Sequence, residues 1–552
     1  MRRGWPAVFV VALVVVCALS WPLPLRLGQA DAPSAFFGGH AWVADHLFQV
    51  AFGDHHHTPT SDAGYPWVRD ARYINWGPTL LSWPLRAMLS PLGAYQLVHL
   101  LSIPLTALAA WPLLRRWTDA DRATCAAACL VWGLSPFLLS TLAIGETPKL
   151  NAWGLPLFLW ALDRLIGGSL RHGLVLIGIV VATSLTSPYY GLSLPLLAAG
   201  LCGVRLMTGA GWGPRLRAAA GLGLTAGALL PAFFYFSQPF APVPARVFRP
   251  AAAGETGANL PWPHPVATPA DLLWAPTLGP RDPYDVIHVA YLGLPLLLAV
   301  AGLLLWRRAR GWQAGLLLLL GGILLAMGPH LAVGEHFTRF PLPANALVRL
   351  GYPYVRGGMW FRLTVIAGLG LAVMLAASTA PLKRGAWVAW GLALLQLGDA
   401  VRASGPWPLE LRALPAARVL AGARPPLRQT DGAVLHLPLD TQSKATSPQS
   451  MVTAAVHGRP SNGLPRDTLQ LEVSALRRLV IQALESPDPA EALRALGFRW
   501  VVFQPIPGVH ARIRRELLIG KLGPPQGAPG FEAWDLGPTA LAPRTDLLGP
   551  VR

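Results

Sequence analysis

LRLGQADAPSAFFGGHAWVADHLFQVAFGDHHHTPTSDAGYPWVRDARYINW, residues 25–76, is the most polar part of the first three hundred residues, and its neighbours are nearly free of charge. It holds Asp31, Asp45, Asp54, Asp62 and Asp70, together with His40, His46 and the run His55-His56-His57. The preceding segment, MRRGWPAVFVVALVVVCALSWPLP, places Arg2 and Arg3 ahead of an apolar run that, at about 20 residues, is long enough to cross a bilayer. Ala18-Leu19-Ser20 has the small-residue form of a signal-peptidase site, but an uncleaved first helix is the reading adopted. In either case the polar stretch forms the first external loop, and a membrane protein that gathers carboxylates and imidazoles in one loop is most simply read as keeping its chemistry there.

The composition agrees. The chain has 552 residues, 53% hydrophobic and only 13% charged, with 22 Trp. With a mean hydropathy of +0.43, this describes a polytopic α-helical membrane protein. Apolar runs near 5–24, 92–114, 121–143, 151–167, 172–187, 189–206, 216–236, 289–306, 312–328, 361–379 and 386–400 predict about 11 transmembrane helices. Pro78–Leu89 is too short to span and is expected at the interface or as a re-entrant piece.

The net charge of +18 comes from Arg and Lys scattered between apolar runs, a positive-inside pattern that excludes a nucleic-acid partner. Arg2/Arg3, Arg115/Arg116/Arg122, Arg164/Arg171, Arg205/Arg215/Arg217, Arg307/Arg308/Arg310 and Lys383/Arg384 share one side, read as cytoplasmic; nearly all carboxylates fall on the other. An odd number of spans then puts the N-terminus inside and the C-terminus outside. Cys17, Cys125, Cys129 and Cys202 all lie in apolar runs and read as packing residues.

The last part of the chain has another texture. AVLHLPL (433–439) and WVVFQP (500–505) read as strands, Leu469–Leu484 and Pro489–Leu496 as helices, with Ser486-Pro487-Asp488-Pro489 as a start signal. The division expected is a transmembrane domain at 1–404 with first external loop 25–77, a linker at 405–428, and a small extracytoplasmic α/β domain at 429–552.

Asp31 follows the end of the first apolar segment by seven residues, at the outer membrane surface, and the amphipathic run Phe36, Phe37, Trp42, Val43, Leu47 and Phe48 holds the loop to the headgroups. It reads as a general base, or otherwise as a helix cap or a partner of Arg26. His46, Asp54, His55 and His57 offer ligands for a divalent cation, or are solvated loop residues. Glu146, with Lys149 three residues on, could orient a sugar or support a cation, or the two could pair as surface charges. Asp45 is a second candidate for orienting the sugar. Arg72, Lys149 and Arg362 are candidates for a donor phosphate; an arginine where a helix enters the membrane faces a polar cavity or headgroup, or snorkels.

The first helix, the early Asp in an external loop and the aromatic amphipathic stretch resemble the GT-C superfamily, integral-membrane glycosyltransferases that use polyprenyl-phosphate sugars. So do LSPFLLSTLAIGE (134–146) with NAWGLPLFLWALDR after it, TSPYYGL (186–192), AYLGLPLLL (290–298) and MGPHLAVGEHFTRFPLPANALVRL (327–350) ahead of RGGMWFRL. VLHLPLD, MVTAAVHGRPSNGLPRD and ALGFRWVVFQP look like the external domain of bacterial proteins of this type. The resemblance implies sites facing outward on the inner membrane and a catalytic carboxylate at Asp31, although the paired acidic residues of some members are absent, since Ala30 and Ala32 flank it. The expected function is transfer of a sugar from a polyprenyl-phosphate donor to a lipid, glycan or protein acceptor on the external face, with Asp31 and Glu146 catalytic. The alternative is a non-catalytic carrier or assembly factor for envelope glycan or lipid. No nucleotide site is visible, a divalent cation is the only cofactor considered, and oligomeric state is not readable.

Overall fold

The computed structural model describes residues 4–31, 37–52, 76–207, 211–237, 266–275, 289–306, 309–333, 336–350, 360–405, 407–409, 411–413, 432–437, 470–503, 515–526 and 532–539. Helix α1 (Trp5–Leu19) leads into β1 (Ala30–Asp31), α2 (Phe37–Phe52), α3 (Trp76–Ser82) and a 3-10 turn at Pro84–Ala87. The amphipathic stretch of the first loop is thus a helix, and Pro78–Leu89 is a pair of short turns of helix, as its length requires. α4 (Pro91–Ala109) starts at Ser90, whose hydroxyl accepts from Gly93 N at 3.2 Å, with Pro91 at the first helical position. It continues almost directly into α5 (Trp111–Trp117).

Next come α6 (Arg122–Gly133), capped by Asp121 on Thr124 N at 2.7 Å, and α7 (Pro136–Ala143). The two meet at a 47° bend, because Pro136 forces Ser135 into an extended conformation. The short α8 (Thr147–Leu150) precedes α9 (Gly154–Ile166), α10 (Arg171–Thr186), α11 (Pro188–Met207) and α12 (Trp212–Ser237). The rest of the helical part is α13 (Pro269–Leu273), α14 (Leu294–Trp306), α15 (Trp312–Ala326), the hairpin β2 (His330–Val333) and β3 (His336–Pro341), α16 (Pro343–Arg349), α17 (Thr364–Thr379) and α18 (Gly385–Ser404).

Each of the eleven apolar runs contains helix, but 121–143 is the bent pair α6 and α7, 289–306 is α-helical only from Leu294, and 5–24 only to Leu19. Among the described residues, length and apolarity qualify Pro91–Trp117 and Trp360–Thr379 as spans, with α6 and α7 a third if the bent pair counts as one, while five further apolar helices are shorter. Close helix contact is built on small residues. A Cβ on Gly322 of α15 would lie 2.8 Å from the Ala367 Cα of α17, and one on Gly315 would lie 3.0 Å from the Gly370 carbonyl. Across the same core, Trp132 of α6 donates its indole N–H to Val365 O of α17 at 3.0 Å.

β4 (Arg412–Ala413) pairs antiparallel with β1, setting Asp31 opposite Arg412. It is a tertiary pairing of residues hundreds of positions apart, and it falls inside the stretch read as a linker. The tail contains β5 (Ala433–Leu437), α19 (Gln470–Glu485), α20 (Pro489–Ala495), β6 (Phe498–Phe503), α21 (Arg515–Leu522) and β7 (Glu532–Asp535). The sheet order is β5-β6-β7, parallel then antiparallel. A parallel neighbour needs a crossover, and α19 and α20 supply it. Asp488 caps α20 by accepting from Glu491 N at 2.9 Å, where the sequence puts its start signal. Leu435, Phe498 and Val501 pack with Leu476, Val480, Leu493 and Leu518 in a core distinct from that of the helical bundle.

Candidate functional site

The site is organised by one face of α4. Gln96, His99, Ser102 and Thr106 are spaced three, three and four apart, so they stack on one side of the helix, and all four are buried. Each holds another segment. Gln96 accepts from Gly28 N at 2.7 Å and donates to Ala30 O at 2.8 Å, fixing the backbone that carries Asp31. His99 lies 2.8 Å from the Thr147 hydroxyl through Nδ1 and 3.2 Å from Leu142 O through Nε2. Ser102 accepts from Asn151 Nδ2 at 2.9 Å, and Thr106 donates to Leu150 O at 2.6 Å. The stretch from Glu146 to Asn151 is therefore laid along α4. Gly145, with φ +76, makes the left-handed turn that delivers it there after α7 ends.

Glu146, Lys149 and Arg362 are buried at 2%, 5% and 2% exposure. Lys149 Nζ pairs with Glu146 Oε1, and Arg362 Nη2 reaches the same oxygen at 3.3 Å. Tyr189 supplies the aromatic wall: its ring lies 4.0 Å from Arg362 Cζ and 5.1 Å from Lys149 Nζ. The adjacent Tyr190 donates its hydroxyl to Lys149 O at 2.7 Å. Two cations thus share one carboxylate at a site withdrawn from water. Charges withdrawn from water are tolerated only with partners, and here the carboxylate lies between an ammonium and a guanidinium.

α2 lies over this cluster. Phe37 packs edge-on to His99, centroids 5.3 Å apart, and against Tyr95 at 5.5 Å. His40, one turn on, is close enough to feel Lys149 and Glu146. Burial first, and then the Lys149 charge, push its imidazole down to about 3, so it is neutral at pH 7.

Of the residues singled out in the sequence, Glu146, Lys149 and Arg362 come together, and Asp31 is held on the same α4 face through Ala30. Asp45 is bound elsewhere: it is buried, Arg86 Nη2 pairs with it at 2.7 Å, and the partly exposed guanidinium lies 3.8 Å from the Phe48 centroid. His46 stacks on Trp42 with centroids 5.0 Å apart. Arg72, Asp54, His55 and His57 lie outside the described residues. Among the described residues no group of three His, Cys, Asp or Glu forms a metal-binding set. The two buried carboxylates Asp45 and Glu146 face guanidinium and ammonium groups, a donor set that does not fit a divalent ion.

Sequence reasoning passed over Gln96, His99, Tyr189 and the placing of His40. The signal for the first two was present: polar side chains at helical spacing inside an otherwise apolar span.

No known protein-family profile matches the sequence, and no curated protein matches it. Solved structures do. The arabinofuranosyltransferase AftD from Mycobacteria superposes with a TM-score of 0.56 at 16% identity over 97% of this chain. The chain spans only 40% of that protein's length. The Archaeoglobus fulgidus oligosaccharyltransferase aligns over 91% of this chain and 69% of its own, with 11% identity and a TM-score of 0.48. The architecture is shared with AftD over nearly the whole of this chain, so the two have the same fold over that length.

Proposed function

We propose that the protein is an integral-membrane glycosyltransferase that moves a sugar from a polyprenyl-phosphate donor to a lipid, glycan or protein acceptor at the outer face of the bacterial inner membrane. The observation that carries this reading is the buried Glu146–Lys149–Arg362 cluster on a GT-C fold. It supplies two cations where a departing lipid phosphate needs them, next to the backbone that presents Asp31.

In this mechanism Asp31 takes the proton of the acceptor hydroxyl as its oxygen attacks the anomeric carbon. The bond from that carbon to the phosphate oxygen breaks, and the charge that develops on the phosphate is met by Lys149 and Arg362, already oriented by Glu146 and Tyr189. His40, neutral and above the cluster, can hydrogen-bond without adding a competing charge. The donor arrives activated, so no nucleotide site is required. The topology that goes with this reading has about eleven crossings, an inside N-terminus and an outside α/β domain.

The test is mass spectrometry of envelope lipids and glycans from a deletion strain complemented with wild type or with Asp31→Asn at equal membrane abundance. A sugar modification that is lost on deletion, restored by wild type and at least about a hundredfold lower with Asp31→Asn is expected. Full restoration by Asp31→Asn removes Asp31 as the base and favours a carrier or assembly role.

A further inference from the structure

The end of the bundle remote from Glu146 carries a second concentration of charge. α9 starts beside the site and runs 13 residues, about 20 Å at the helical rise, to a turn where four helix ends meet. Arg116 closes α5, Arg164 lies in the last turn of α9, Arg171 opens α10, and Arg215 and Arg217 lie in the first turns of α12. Set against these five guanidinium groups is Asp163, whose Oδ2 takes Arg116 Nε at 2.6 Å. Arg217 is spent on the C-terminal end of α9, donating from Nε to Ile166 O at 2.9 Å. The two acids on the neighbouring turn are committed elsewhere: Asp121 caps α6, and Asp119 faces Arg310 at 3.9 Å.

That leaves Arg164, Arg171 and Arg215. The Nε atoms of Arg164 and Arg215 are buried and have no hydrogen-bond partner among the described residues. α10 and α12 both begin here, and the N-cap of α10, Leu170, has no side chain to cap its first amides. Their helix dipoles add positive potential on the same side. Around the charges lies an exposed apolar rim, with Leu174 at 77%, Trp212 at 78% and Leu216 at 65% exposure. Arginine beside exposed leucine and tryptophan at a helix end is the composition of the headgroup level of a membrane.

We propose that this face binds the phosphodiester headgroup of an anionic membrane phospholipid, which Arg164, Arg171 and Arg215 neutralise while Leu174, Trp212 and Leu216 lie along its acyl chains. The inference rests on the helical bundle lying in a bilayer and is independent of the chemistry at Glu146. A zwitterionic lipid brings its own cation to five arginines and is disfavoured; an anionic one adds to the single carboxylate, Asp163, set against them among the described residues.

The test uses the full chain in nanodiscs of phosphatidylcholine with or without phosphatidylglycerol, followed by native mass spectrometry of the retained lipid. Wild type is expected to retain phosphatidylglycerol in preference to phosphatidylcholine. Arg164→Gln with Arg171→Gln should hold it about thirtyfold more weakly, the factor for two basic residues near a bilayer surface. Arg310→Gln should hold it as wild type does. Arg164→Lys with Arg171→Lys keeps the charge and should restore retention, which separates charge from misfolding. Polyprenyl phosphate binding at the Glu146 site should be unchanged throughout. Equal retention of the two lipids by wild type, unchanged retention in the Gln variant, loss in the Lys variant, or displacement of the lipid by equimolar inorganic phosphate overturns the assignment.

Discussion

Glu146→Gln removes the carboxylate shared by Lys149 and Arg362 while keeping its size. The Arg362 contact is 3.3 Å with both groups about 3% exposed. At an effective dielectric constant of 20 a pair at that distance interacts by about 5 kcal/mol. Loss of one partner from a buried ion pair costs about 3–5 kcal/mol because the remaining charges stay buried and uncompensated. Here two cations lose the carboxylate they share. If they are there to receive a phosphate, the anion that replaces the carboxylate should recover much of that loss. The measurement is thermal unfolding of the purified protein in neutral detergent, by tryptophan fluorescence, as polyprenyl monophosphate is added. The variant should unfold well below wild type without ligand, and the rise in its midpoint with polyprenyl monophosphate should exceed the rise for wild type. A variant within 1 kcal/mol of wild type, or one that gains no more than wild type from the lipid phosphate, refutes the assignment of Lys149 and Arg362 to an anion.

Two further outcomes are expected. Gly322→Val pushes a branched side chain into the α17 backbone, since even a Cβ there would sit 2.8 Å from Ala367 Cα; it should destabilise by about 2–3 kcal/mol. Gly321→Val meets nothing within 4 Å and should unfold at nearly the wild-type temperature in the same melt. In the tail, burial pushes the imidazole of His436 down to about 3. The unfolded domain therefore takes up the proton first: the stability associated with this group is complete above pH 6.5 and is lost as pH falls toward 3, by up to about 1.4 kcal/mol per unit. Hydrogen exchange in β5, corrected for intrinsic rate, should quicken on acidification, and His436→Leu should flatten that dependence; an unchanged profile in the variant counts against it.

The membrane class and the helical segments were legible because each rests on local composition. A run of twenty apolar residues needs no knowledge of its neighbours to be a helix in lipid, and Asp488 ahead of Pro489 signals a start wherever it occurs. Strands β5 and β6 were read for the same reason. The β1–β4 pairing, the β2–β3 hairpin, α21 and β7 were missed: the first sets Asp31 opposite Arg412, hundreds of positions away, and the others are short and lack a strong apolar period.

Among site residues the same division holds. The sequence picked out Glu146, Lys149 and Arg362 as charges near membrane ends, but their convergence depends on bringing α8 to the start of α17, and surface pairing at three-residue spacing was an equally good local reading. Asp45 looked equivalent to Glu146 in sequence and differs in partner, because α2 turns it toward Arg86 and Phe48. Charge type, hydropathy and helical period are properties of neighbouring residues and were decided by the sequence alone. Which charges share a buried site was decided by the tertiary structure, through the polar face of α4, since contacts between residues 40, 99, 146, 189 and 362 exist only once the helices have packed.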